Sequence, residues 1–113
     1  MSGDCLFCRI VRREVPAKVV AENEWCLAFH DIGPQAPTHL LVIPKEHVAS
    51  LNDVTDHGII ARLFAMATDI ARAEGFAEKG YRTVINTRDD GGQTVHHLHV
   101  HLLAGRRLTW PPG

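Results

Sequence analysis

Three histidines, His97, His99 and His101, alternate with Leu98, Val100 and Leu102 near the end of a 113-residue chain. In an extended strand every second side chain faces the same way, so this spacing puts three imidazoles on one face and three aliphatic groups on the other. Imidazole is half protonated near neutral pH and serves as nucleophile, acid, base or metal ligand. Histidines at i and i+2 on a strand can also share one zinc ion. On this stretch alone, nucleophilic catalysis and metal ligation both stand.

The flanks weigh toward phosphate chemistry. Residues 86–94, Asn-Thr-Arg-Asp-Asp-Gly-Gly-Gln-Thr, form a polar loop. Its adjacent glycines let backbone N–H groups approach an anion, although a Gly-Gly pair also makes an ordinary hairpin turn. Gln93 and Thr94 add an amide and a hydroxyl where the histidine strand begins, which suits phosphate oxygens better than a closed metal shell. Near the other end, Cys5-x-x-Cys8 has the spacing of half a zinc site, and the missing half would have to be histidine. With Cys26 the cysteine count is odd, which argues against structural disulfides.

These side chains need a scaffold that the pattern supplies. Apolar positions Ile59, Ile60, Leu63, Phe64, Ala67, Ile70 and Ala71 recur every three to four residues across 57–74, predicting one long amphipathic helix capped at its start by Thr55 or Asp56 and ended by Gly75. Residues 7–13 read as a short helix that stops before Val15-Pro16. Strands are expected at 18–22, 25–30, 39–43, 81–86 and 95–104. His39 shares a face with Leu41 and Ile43 and, taken alone, reads as a core histidine. The expectation is an α+β domain: about five antiparallel strands in a meander, with one long and one short helix on one side of the sheet.

Composition bounds the rest. The chain fits a single domain, 1–113, that buries roughly two-thirds of its unfolded surface. Hydrophobic content of 45% is ordinary, no run suits a membrane span, and Met-Ser-Gly-Asp-Cys-Leu-Phe-Cys does not read as a signal peptide. A cytoplasmic protein is expected. Net charge is −1 with neutral histidines, and the basic residues are scattered rather than clustered as a nucleic-acid footprint requires.

His97-Leu98-His99-Val100-His101-Leu102-Leu103 resembles the His-x-His-x-His-x-x signature, x apolar, of the histidine triad superfamily. Residues 26–45 (CLAFHDIGPQAPTHLLVIPK), residues 91–101 and the tail Trp110-Pro111-Pro112-Gly113 resemble its nucleotide-binding branch, the purine nucleoside phosphoramidases, over nearly the whole chain. The resemblance implies hydrolysis of purine nucleoside 5′-phosphoramidates or acyl-adenylates, with AMP or GMP as the nucleotide, through a covalent nucleotidyl-histidine. It assigns the nucleophile to His99, a phosphate-contacting and proton-donating role to His101, and supporting roles to His97 and His39.

By the same resemblance Asp31 binds ribose, Ile32 packs on the base, and Asn86, Gly92, Gln93 and Thr94 contact the nucleotide or its leaving group. Phe7, Phe29 and Leu51 become base-pocket walls or plain core. A homodimer with the sheet extended across it is implied, with the tail, 105–113, reaching the partner's site. Bacterial relatives further imply a structural zinc held by Cys5, Cys8, His47 and His97 and no cofactor for catalysis. Thr94 stands where serine is usual and His96 where an aromatic is usual. Other readings are a nucleotide-binding scaffold, a zinc protein with little turnover, or hydrolysis of dinucleoside polyphosphates.

Overall fold

The computed structural model describes residues 5–113; residues 1–4, part of the stretch read as lacking a signal peptide, lie outside it. The elements are α1 (Leu6–Val11), β1 (Val19–Glu22), β2 (Cys26–His30), β3 (Thr38–Pro44), a 3-10 turn (Leu51–Asp53), α2 (Gly58–Ala73), β4 (Arg82–Val84), α3 (Arg88–Gly91) and β5 (Val100–Ala104). One five-stranded antiparallel sheet results, with the order β1-β2-β3-β5-β4. The expected α+β sheet is therefore present, but the meander holds only for β1 to β3. The last strand inserts between β3 and β4, which places the histidine strand centrally instead of at an edge.

Helix α2 follows from its apolar period. Leu63, Met66, Ala67, Ile70 and Ala71 are buried, and they pack on Cys26, Ala28, Leu40, Val42, Leu98, Val100 and Leu102. Each fully buried leucine here contributes about 2 kcal/mol. Asp56 Oδ1 accepts from the Gly58 N–H at 2.9 Å at the helix start, and Gly75, at φ +84°, ends it.

The opposite face of the sheet is covered by α1, not left bare. Phe7 and Ile10 pack with Leu27, Phe29, Leu41 and Ile43. The expectation that both helices share one side is thus corrected: a six-residue helix is too short for its apolar period to reveal its face.

The β5 ladder is shorter than the 95–104 pattern suggests. At Leu98 the N–H donates to the Val48 carbonyl at 2.7 Å instead of to a strand, and pairing with β3 begins at Val100. Alternation survives this irregularity: Leu98 joins the α2 core, while the rings of His97 and His99 meet Phe7 on the other side.

At the end of β5, Gly105 has φ +99°, and a Cβ added there would lie 2.7 Å from Pro37 Cβ. Both the backbone conformation and the close approach require glycine. Gly105→Ala should lower unfolding free energy by about 2 kcal/mol, measured by urea denaturation. Wild-type stability in that variant would contradict the tight seating of the 33–37 loop.

Candidate active site and metal cluster

Strands β3 and β5 run antiparallel with Leu41 opposite His101 and His39 opposite Leu103, which brings the His39 and His101 rings together. His39 Nε2 lies 2.9 Å from His101 Nδ1, and the Phe7 ring of α1 meets that of His99 edge to face, with centroids 5.2 Å apart. A cavity of about 280 Å³ opens in front of this group, and its lining includes Phe7, Phe29, Asp31, Ile32, Thr94 and Val95 besides His99 and His101. The apolar walls and a few convergent polar atoms are those of a small-ligand site.

Backbone groups assign the tautomers. The nearest partner of His99 Nδ1 is the carbonyl of His97, at 2.6 Å, which only accepts, so Nδ1 carries the proton and Nε2 presents a lone pair. Burial lowers the His99 pKa, opposed by that hydrogen bond and by Asp31, so the ring is neutral near pH 7. Burial likewise lowers His39, with Asp31 opposing at 3.4 Å. His101 is pushed down to about 4, by burial first and then by His99 and His39.

The unfolded chain takes up the His101 proton near 6.5, whereas the native chain resists until about 4. Stability is full above 6.5 and declines as pH falls through that window, because the unfolded state binds the proton first. Thermal midpoints should therefore fall between about pH 7 and about pH 5. A midpoint that rises on acidification would contradict the burial of neutral rings.

The structure does not gather every residue expected at the site. Asn86, Gly92, Gln93 and Leu51 are not among those lining the cavity. Gln93 is buried with its amide spent: Oε1 accepts from the Arg88 N–H, and Nε2 donates to the carbonyls of Ala49 and Val95. It clamps the loop that presents Thr94. The N–H groups of Gly92 and Gln93 are also engaged, with Asp89 and Arg88 carbonyls, so the Gly-Gly stretch closes α3 and offers neither amide as an anion cradle. Thr94 itself is exposed on the cavity wall, and Ile32 stands at the rim fully exposed. Phe7 and Phe29 are both core and wall, meeting edge to face at 5.5 Å.

A second cluster lies behind the first. Cys5 Sγ, Cys8 Sγ, His47 Nδ1 and His97 Nδ1 are mutually within 4.8 Å. The separations Cys5–His97 of 3.3 Å, Cys8–His47 of 3.3 Å, Cys8–His97 of 3.6 Å and His47–His97 of 3.2 Å approach the edge of roughly 3.5 Å of a zinc tetrahedron with sulfur and nitrogen ligands. His97 Nε2–H donates to the Pro44 carbonyl at 2.8 Å, which turns the Nδ1 lone pair into the cluster. Cys5 caps α1, its sulfur accepting from the Cys8 N–H at 3.4 Å. The donor set fits zinc. His97 also ties the two sites together, since its carbonyl holds His99.

The residue pattern gave no sign of the backbone groups of Gln35 and Pro44, which set histidine protons here. Backbone atoms leave no mark in residue type; the Gly33-Pro34-Gln35-Ala36-Pro37 run is legible only as a strand break.

The HIT domain family model matches residues 12–108 of the chain. The chain is 46% identical to the purine nucleoside phosphoramidase of Escherichia coli, over 96% of this chain and 92% of that one. It is 55% identical to a HIT-like protein of Synechococcus elongatus over the full length of both. A HIT family hydrolase from Legionella pneumophila superposes with a TM-score of 0.94 at 54% identity, covering 97% of this chain and all of that one.

Proposed function

This chain belongs to the HIT domain family, and from that membership we propose that it is a hydrolase of purine nucleoside 5′-phosphoramidates or acyl-adenylates with His99 as nucleophile. The observation that carries the reading is the His99 Nδ1–H bond to the His97 carbonyl, which leaves an unprotonated Nε2 on a ring that lines the cavity. That lone pair attacks the α-phosphorus in line. The bond from phosphorus to the leaving nitrogen or acyl oxygen breaks, its electron pair departs with the leaving group, and an amine takes a proton from water at the open mouth. Water then displaces His99 from the nucleotidyl-histidine and releases the nucleoside monophosphate.

Asp31 at the rim accepts from ribose hydroxyls, Ile32 and the Phe7 and Phe29 walls hold the base, and Thr94 donates to a phosphate oxygen. Cys5, Cys8, His47 and His97 would hold a structural zinc, which would pin α1 to the histidine strand. The working unit is a homodimer: Trp110 is 82% exposed and β4 leaves a sheet edge to continue. A partner surface would cover both.

The test is an adenosine 5′-phosphoramidate carrying a fluorescent amine, with amine release followed alongside intact mass of the rapidly denatured protein. Release with an added adenylate mass is expected. Absence of both from the zinc-replete protein overturns the hydrolase reading, and light scattering at the mass of one chain overturns the dimer.

A further inference from the structure

His101 sits at the end of a chain of hydrogen bonds that starts in the loop before β3. The Gln35 N–H donates to His39 Nδ1 at 3.0 Å, and a backbone amide can only donate, so Nδ1 of His39 must hold a lone pair. The single proton of the neutral ring is then on Nε2, which faces His101 Nδ1 at 2.9 Å, nearer than the Asp31 carboxylate at 3.4 Å. His101 Nδ1 is forced into the accepting role and its proton onto Nε2. That last atom is buried and has no hydrogen-bond partner among the described residues. A buried, unpartnered donor is costly unless a ligand supplies the acceptor.

We propose that the backbone N–H of Gln35, acting through His39, fixes His101 as the neutral Nε2–H tautomer, so that His101 serves the reaction as a hydrogen-bond donor and not as a proton shuttle. Every lone pair that could take an additional proton in the His39–His101 pair already accepts a hydrogen bond. Protonating either Nδ1 would set two N–H groups against each other. A neutral imidazole does not surrender its remaining proton under ordinary conditions, so no bond to hydrogen breaks at His101; its Nε2–H stays in place and stabilises the charge that collects on a phosphoryl oxygen or leaving atom.

Gln35 is thereby a positioning residue that acts through its backbone. Two further hydrogen bonds anchor its loop: Arg106 donates to the Gln35 carbonyl at 3.0 Å, and the Gln35 side chain donates to the Gly33 carbonyl at 3.0 Å. His99 has the reverse tautomer, set by a carbonyl. One backbone acceptor and one backbone donor thus make two neighbouring histidines into a nucleophile and a donor.

The test begins with nitrogen NMR of the zinc-loaded wild-type protein, free and with AMP. His39 and His101 should each show an unprotonated Nδ1 and a protonated Nε2, unchanged by AMP; an imidazolium or an Nδ1–H His101 overturns the proposal. This readout needs no turnover, so it stands apart from the hydrolase reading on which only the kinetic arm rests. In that arm Gln35→Pro deletes the donor while Gln35→Ala keeps it. The proline variant should lose about tenfold or more in kcat with little change in KM and a mixed His101 tautomer, and the alanine variant far less. His101→Gln, which donates but carries no ionisable proton, should exceed His101→Ala in kcat. Equal loss in those two variants, or equal loss in the two Gln35 variants, overturns the proposal; a proline variant that fails to fold leaves the spectroscopic and His101 arms to decide.

Discussion

Replacing His99 by alanine should reduce kcat on an adenosine 5′-phosphoramidate by at least about a thousandfold, with the adenylate mass adduct abolished. The size of the effect follows from what the ring supplies. In the proposed mechanism its Nε2 forms the bond to phosphorus, and neither of the other two histidines of the row substitutes: His97 is wholly buried, with Nε2 on the Pro44 carbonyl and Nδ1 in the cysteine cluster, and His101 presents a proton instead of a lone pair. KM should change little, since Asp31 and the aromatic walls are untouched. His99→Ala turnover within about tenfold of wild type would remove the covalent mechanism, whatever the substrate.

Removing zinc should have the second largest effect, on the fold before the chemistry. We expect one zinc per chain, lost in Cys5→Ala and Cys8→Ala, and a fall in thermal midpoint of more than about 10 °C on chelation. Helix α1 has six residues, well below the length at which a helix sustains itself, and the cluster ties it to the sheet through its cap Cys5 and through Cys8. Because α1 also carries Phe7, loosening it opens one wall of the cavity and removes the ring packed on His99. Activity should therefore decline with α1 mobility and return when zinc is restored. Metal analysis together with calorimetry checks this; unaltered melting after complete zinc removal would refute it.

How far the sequence reached depended on the range of each interaction. Period two over residues 97–102 revealed which side chains share a face, because the pleat imposes it locally. Period 3.6 revealed α2, with Leu63, Ala67, Ile70 and Ala71 of the expected stripe buried and Ile59, Ile60 and Phe64 half-buried against the same core. The place of β5 between β3 and β4 was hidden, since pairing partners distant in sequence leave no local pattern. Strand irregularity at Leu98 was hidden for the same reason: its partner is the carbonyl of Val48, far upstream in the chain. Gln93 shows another limit. Residue type announced a polar contact, but whether the amide faces a ligand or its own loop is decided by Arg88, Ala49 and Val95 together. The two tautomers rest on backbone atoms and had no sequence signal at all.

The cap of α1 and the histidine beside it are 92 positions apart, and Cys8 and His97 are 89 apart. During synthesis, the amino-terminal helix meets Leu27, Phe29, Leu41, Ile43 and His47 early but waits for nearly the whole chain before His97 exists, and closing that long loop is an entropic barrier that the completed sheet repays. The cavity is consequently a late product of folding, assembled when the central strand enters between two others already made. A polypeptide interrupted before His97 would hold a nascent helix and an unfilled sheet, with neither the histidine row nor the pocket, so partially made chains should be catalytically silent and prone to edge pairing.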